Sequence, residues 1–277
     1  MPELPEVETV RATLNLAIAG KTIESVKVYY EKMIKGVSVI EFVTRLNGQT
    51  LTNIHRFGKY LFFNFHDVTM ISHLRMEGKY YLKSILDSLE KHEHVVINFT
   101  DQTSLRYHDT RKFGTMELVD PGMEMTPKGI QSMGPEPFDD CFNSDYLKQK
   151  IKNSIRPIKS LLLDQSVVSG LGNIYVDEVL FLAKIHPESP AKSLSTEDLK
   201  NIVIYSRSVL HKAIALGGTT IRSYLSSLGV SGRFQNELNV HMRKDEPCLH
   251  CGTLITKIKV GGRGTYVCTT CQRRNNS

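Results

Sequence analysis

Four cysteines near the C-terminus restrict this chain more than any other feature. They stand as Cys248-x2-Cys251-x16-Cys268-x2-Cys271. Each pair can grip a metal from a tight knuckle, and the 16 residues between the pairs suffice for a β-hairpin joining the two grips. Four thiolates at this spacing describe a closed tetrahedral zinc site. The other reading is a pair of disulfides, which belongs to an oxidising compartment that nothing else in the sequence suggests. With sulfur in all four positions the one zinc is structural and has no open position for catalysis. Cys141 is left over and is expected as a free, packed thiol.

The same segment is basic. Residues 241–277 hold seven lysines and arginines against Asp245 and Glu246, and so carry almost all of the chain's net charge of +6. A basic module appended to a near-neutral body suits a phosphate-bearing partner. Its GGRGT turn (261–265) sets Arg263 between glycines, where bare backbone lets a phosphate come close; a plain exposed basic turn is the alternative. The whole chain, 40% apolar and 23% charged, has a soluble globular composition. No apolar run approaches the ~20 residues of a membrane span. The N-terminus carries acids where a secretion signal would carry a basic-then-apolar pattern, so a cytoplasmic protein is expected.

Hydrophobic periodicity changes once along the chain. A helix is predicted from Pro5 to Ala19, with Val7, Val10, Leu14, Ala17 and Ile18 on one face. Strand-like runs follow at Thr22–Tyr30, Thr50–His66, Thr69–Leu82, His94–Phe99, Ser104–Tyr107 and Thr115–Leu118. Several are apolar on both faces, as in Tyr60-Leu61-Phe62-Phe63, and no strand–helix–strand alternation occurs, so an antiparallel sandwich or barrel is the economical reading. Pro121–Asp140, rich in Pro, Gly and acids, reads as a linker. Helical patterns then occupy Asp145–Ile155, Ile158–Leu163, Ile174–Ala183 and Glu197–Leu216, broken by SGLGN at 169–173. Four glycines and four serines in Gly217–Phe234 predict a loop.

Six segments together resemble one family. They are PELPEVE (2–8), RFGKYL (56–61), SHLRMEGKY (72–80), HDTRKFG (108–114), GLGNIYVDE (170–178) and the terminal cysteine hairpin, in order over essentially the entire chain. The resemblance is to the bacterial formamidopyrimidine-DNA glycosylases, which excise 8-oxoguanine and ring-opened purines. It implies an α+β, two-lobed fold, with an N-terminal antiparallel β-sandwich and leading helix, and a C-terminal helical lobe. That lobe would hold a helix–two-turn–helix and the β-hairpin zinc finger, with DNA in the cleft between the lobes. The corresponding divisions are 1–130 for the catalytic domain, 131–144 for the linker, 145–240 for the helical domain with a lesion-capping loop at 217–234, and 241–277 for the zinc finger. The partner implied is damaged double-stranded DNA, bound by a monomer in the bacterial cytoplasm and nucleoid.

The resemblance also implies roles. With Met1 removed, Pro2 becomes a secondary amine that can attack C1′ of a damaged nucleotide. An α-amino group titrates near pKa ~8, so a useful fraction is nucleophilic at neutral pH. Pro2 taken alone is equally a helix-leading proline. Glu3 matches the acid that opens the deoxyribose ring, Lys59 the lysine that assists elimination, and the whole sequence of steps is base excision followed by β,δ-elimination. Glu6, three residues on, would orient the site, and Glu8 is expected as a solvated surface acid. His73, Asn173 and Arg263 match phosphate-holding residues, His92 another DNA contact and Lys159 a lysine near the lesion. Asn173 follows a glycine-rich turn and opens a helix, where N–H groups also favour phosphate. Met76, Arg111 and Phe113 match three wedge residues that fill the gap left by a flipped nucleotide and read the orphaned base; for Met76 and Phe113, core packing is the ordinary alternative.

Two other readings stand beside this one. An endonuclease VIII-like glycosylase for oxidised pyrimidines tends to open PEGPE, whereas this chain has Leu4. A non-catalytic zinc-ribbon DNA-binding protein would have no use for Pro2, Glu3 and Lys59 together.

Overall fold

The structure, a computed structural model, describes residues 2–219 and 232–274. They fall into two compact units, one of 2–131 with 217–219 and 232–233, the other of 132–216 with 234–274.

The first unit opens with helix α1 (Leu4–Ile18), whose Leu4, Val7, Val10, Leu14 and Ile18 are buried as the 3.6-residue period requires. Strands β1 (Ile23–Val28) and β2 (Ile34–Lys35), helix α2 (Val39–Leu46), and strands β3 (Asn53–Phe57) to β9 follow. These last are β4 (Tyr60–Asn64), β5 (Thr69–His73), β6 (Lys79–Ser84), β7 (Glu93–Phe99), β8 (Thr103–His108) and β9 (Thr115–Val119). One sheet has the order β1-β7-β8-β6 and the other β2-β9-β5-β4-β3. All neighbours are antiparallel except β2 and β9. Val26, Ile97, Leu105 and Tyr80 of the first sheet share one core with Ile54, Phe63, Met70 and Met116 of the second, closed by α1 and Phe42 of α2. The outer face of the second sheet is also covered: Phe62 and Ile71 pack with Ile130 of the short helix α3 (Lys128–Gln131). Burial on both sides explains the unbroken apolar run of β4. The expected run Thr69–Leu82 is two strands in different sheets, β5 and β6, separated by the turn that carries Met76.

The second unit holds α4 (Ser144–Ile151), α5 (Ile158–Leu162), α6 (Asn173–Leu182), α7 (Thr196–Ala215) and the hairpin β10 (Thr256–Val260) and β11 (Arg263–Val267). Helix α7 is capped by Ser195, which accepts from Asp198 N–H at 3.1 Å while the Asp198 carboxylate accepts from Ser195 N–H at 2.9 Å. The cysteine module is not a separate body. Phe181 of α6 packs in one cluster with Val240, Cys248, Ile255 and Cys268, so the metal-binding segment and the helices share a core. Cys141 is free but exposed, which corrects its expected burial. Most of the loop expected at 217–234 lies outside the described residues.

Candidate active site and nucleic-acid interface

Pro2 and Glu3 stand at the mouth of α1, and both are buried, Glu3 to 3% exposure. Glu6 folds back over this mouth. Its Oε2 accepts the Glu3 backbone N–H at 2.8 Å, and its Oε1 accepts the Thr219 N–H at 2.7 Å and the Thr219 hydroxyl at 3.0 Å. A single carboxylate therefore fixes the backbone beside Pro2 and the residue leading into 220–231.

Glu8 departs from expectation. It is partly buried and pairs with Arg11 at 2.7 Å and with Arg56 at 3.0 Å. Arg56 also donates to the Gly58 carbonyl at 3.0 Å. The turn between β3 and β4 consists of Gly58 and Lys59 alone, so this arginine ties the Lys59 turn to α1. Lys59 itself is only 5% exposed, a placement that a strand-head lysine does not ordinarily take.

His73 ends β5 and is buried. Its Nδ1 accepts the Arg75 N–H at 2.9 Å, which puts the ring proton on Nε2. Burial first, then the charges of Arg75 and Lys59, lower its pKa to about 3. The imidazole is neutral at working pH and offers Nε2–H as a donor. His92 is partly buried, its ring 5.6 Å from that of His108 and 6.3 Å from that of His94, and its Nδ1 has no hydrogen bond among the described residues. Burial holds His94 and His108 below the usual histidine range.

Met76, Arg111 and Phe113 are outside. Met76 is 38% and Phe113 52% exposed, which removes core packing as their explanation. The Arg111 guanidinium lies 4.8 Å from the Phe113 ring centre. Under this turn the buried Asp109 carboxylate accepts the N–H groups of Arg111 at 2.9 Å, Phe113 at 3.0 Å and Gly114 at 2.8 Å. An exposed flexible thioether, and an aromatic ring and cationic fork on a turn held from beneath by Asp109, have the chemistry to fill a gap in a base stack.

In the second unit Asn173 opens α6 and donates to the Gly264 carbonyl at 3.0 Å, next to exposed Arg263. Lys159 is fully buried. Its ammonium pairs with Asp177 at 2.7 Å, donates to the Thr265 hydroxyl at 2.8 Å and reaches the Gly264 carbonyl at 3.3 Å. Lys159, expected near the lesion, thus ties β11, which begins at Arg263, to Asp177 of α6. Asp177 also binds His241 Nδ1 at 2.8 Å, and Glu178 accepts from the backbone of Asn239, Val240 and His241. Reading the sequence missed these two acids, although a signal exists. They sit in a helix apolar all round, where a carboxylate has to be buried and bonded.

The sulfurs of Cys248, Cys251, Cys268 and Cys271 lie within 4.8 Å of one another. The Cys248–Cys271 and Cys251–Cys268 pairs are 3.9 and 3.4 Å apart, near the ~3.8 Å edge of a tetrahedron with Zn–S of about 2.3 Å. A disulfide would need about 2.05 Å. The residues fit one structural zinc.

Comparison with known proteins agrees over the full length. Family models match at residues 1–116 (formamidopyrimidine-DNA glycosylase N-terminal domain), 133–225 (the H2TH domain of the same glycosylases) and 245–274 (zinc finger found in FPG and IleRS). The chain is similar to the formamidopyrimidine-DNA glycosylase of Bacillus licheniformis, at 50% identity covering 99% of this chain and 100% of that one. That of Bacillus subtilis is 49% identical with the same coverage. Among solved structures it resembles a Lactococcus lactis FPG mutant in complex with Fapy-dG-containing DNA, with TM-score 0.93 and 43% identity over 99% of this chain and 100% of that one. The Lactococcus lactis Fpg bound to abasic-site DNA matches with TM-score 0.92 and 43% identity over the same shares.

Proposed function

We propose roles for individual residues from the premise that this chain belongs to the formamidopyrimidine-DNA glycosylase family. It is a DNA glycosylase of base excision repair with AP lyase activity, acting on damaged DNA and carrying one structural zinc. The substrates in our reading are 8-oxoguanine and formamidopyrimidine lesions in duplex DNA, and the enzyme acts as a monomer in the cytoplasm and nucleoid.

The observation that carries the assignment of roles is the buried, wired mouth of α1. Pro2, once freed of Met1, supplies a nitrogen lone pair that attacks C1′ as the base leaves. The iminium formed on a proline nitrogen has no N–H to lose and remains cationic, an electron sink for eliminating first the 3′- and then the 5′-phosphate. Glu3 donates a proton to the sugar ring oxygen and opens the ring. Lys59, held near His73 and tied to α1 through Arg56 and Glu8, assists the proton transfers of elimination. Glu6 keeps the backbone of residue 3 in place.

Flipping the nucleotide costs a few kcal/mol and leaves a void. Met76 and Phe113 fill it, and Arg111 donates to the acceptor edge of the orphaned cytosine. His73 as a neutral donor, His92, Asn173 with the open end of α6, and Arg263 hold phosphates. Lys159 acts from behind, by fixing Gly264 and Thr265.

Strand scission of matched duplexes tests the substrate reading. Duplexes carrying 8-oxoguanine opposite cytosine should be cut to phosphate-terminated ends far faster than duplexes carrying an oxidised pyrimidine. The reverse order would favour the endonuclease VIII-like reading.

A further inference from the structure

The turn bearing Met76 and the turn bearing Arg111 and Phe113 are separate in sequence, yet one side chain lies under both. Tyr107 is 1% exposed and immediately precedes the His108–Gly114 segment. A Cβ built on Gly78, in the first turn, would lie 2.1 Å from the Tyr107 hydroxyl oxygen, and one built on Gly114, in the second, 1.7 Å from it. Both distances are far inside van der Waals contact, so only glycine admits the phenol at either place. The two turns have a second link, from the Thr110 hydroxyl to Glu77 Oε2 at 2.5 Å. They are also brought together by strand pairing, with Lys79 opposite His108.

Asp109 completes the base. It is fully buried, its carboxylate takes three N–H groups of the second turn, and its own carbonyl is bonded to His94 Nε2 at 2.8 Å. Lys112, at φ 57°, adopts a conformation unusual for a side-chain-bearing residue, and these hydrogen bonds oppose its relaxation.

We propose that Tyr107 and Asp109 are positioning residues for opposite-base recognition, joining the two exposed turns into one preformed wedge. Neither touches DNA. Tyr107 sets the spacing of Met76 from Arg111 and Phe113, and Asp109 sets the aim of the Arg111 backbone. The inference rests on the reading of Arg111 as the group that meets the orphaned base. A guanidinium discriminates between bases only when its fork arrives at a fixed angle, so a loosened base should reduce discrimination before it reduces chemistry.

The test is the ratio of excision rates for 8-oxoguanine opposite cytosine and opposite adenine. Asp109→Asn puts an amide N–H against at least one backbone N–H and should lower that ratio at least ten-fold. Cleavage of a single-stranded abasic oligonucleotide, which has no base to read, should fall far less. Equal loss on both substrates, or an unchanged ratio, overturns the role of Asp109. Gly114→Ala should reproduce the effect, and adding Tyr107→Phe should recover part of it by removing the oxygen that the new methyl meets. Melting temperatures of that four-protein cycle report the contact without DNA. Additive effects overturn the linkage itself, and coupled melting with an unchanged base ratio overturns its role in recognition. A wild-type enzyme with no preference for cytosine would instead strike the reading of Arg111, and the inference with it.

Discussion

Glu6 and Thr219 stand 213 positions apart, and a single carboxylate oxygen of Glu6 accepts both the backbone N–H and the hydroxyl of Thr219. The other oxygen holds the N–H of Glu3. The residue before Thr219 is shaped by the same contact: a Cβ on Gly218 would lie 2.7 Å from Glu6 Oε1, and its φ of 76° already favours glycine. The start of α1 and the approach to residues 220–231 thus share one anchor.

Removing that anchor should cost more than its size suggests. Glu6→Ala strands the buried N–H groups of Glu3 and Thr219, at about 1–3 kcal/mol for each unsatisfied group. We expect a lower melting temperature and a loss of excision greater than the loss of substrate binding. Glu6→Gln, which keeps one acceptor oxygen, should fall between. A Glu6→Ala protein with wild-type stability would mean that water replaces both contacts.

Zinc removal should act on the second unit and spare the first. Cys248 and Cys268 pack with Phe181 and Ile255, so losing the metal loosens a core that α6 shares. Cys248→Ser, or treatment with a strong chelator, should abolish tight DNA binding while the β-sandwich keeps its far-ultraviolet signature. Full DNA affinity in a verified metal-free sample would contradict this.

Much of this was legible in the sequence, for identifiable reasons. The zinc site was readable because metal ligation imposes a spacing. The sandwich was readable because half-buried strands impose apolar patterns, and the helical half because its periods are long. The turn within Thr69–Leu82 was not, since Met76 and Gly78 lie in an otherwise continuous strand-like run, and the Tyr107 hydroxyl packed against Gly78 comes from another strand. Helix α2 is only eight residues long and falls between strands. Within the site, the groups expected to meet DNA came from the family resemblance, and apart from Glu6 it did not point to the residues that hold them. Glu8 looks like a surface acid until Arg56 is beside it, and nothing in the sequence around Lys159 announces its buried partner Asp177. Such pairings join distant positions, and one sequence carries no record of them.

His73 should make folding sensitive to acid. Its folded pKa of about 3 lies below the ordinary 6.5. Between those values the unfolded chain binds the extra proton, so stability rises with pH across the window. The contribution is fully present above pH ~6.5 and is lost as pH falls toward ~3, by up to about 1.4 kcal/mol per unit. His73→Gln retains an acceptor for Arg75 N–H and a donor in place of Nε2–H but cannot titrate. Denaturant unfolding at pH 7 and pH 4.5 should show a smaller acid loss in the variant. Equal losses would mean that His73 does not govern this slope, and imidazole nitrogen shifts at pH 5 would show directly whether the ring is neutral.

The final prediction concerns the first residues. Pro2 should form the covalent bond to DNA, and only after Met1 is removed, because an acylated proline nitrogen is an amide without a nucleophilic lone pair. Borohydride added during reaction with an abasic duplex should trap a protein–DNA adduct, and peptide mapping should place it on the residue-2 nitrogen. Pro2→Gly keeps an amine but loses the ring geometry and the obligately cationic iminium, so it should trap slowly. Glu3→Gln cannot donate the ring-opening proton; it should bind lesion DNA and leave the glycosidic bond intact. Glu3 is 3% exposed, and a glutamine of the same shape tests its acidity with little disturbance of packing. Lys59 is the competing nucleophile, being buried in the same unit and part of the turn that Arg56 fixes. An adduct mapped to Lys59 would transfer the nucleophile's role to it and leave Pro2 only the task of starting α1.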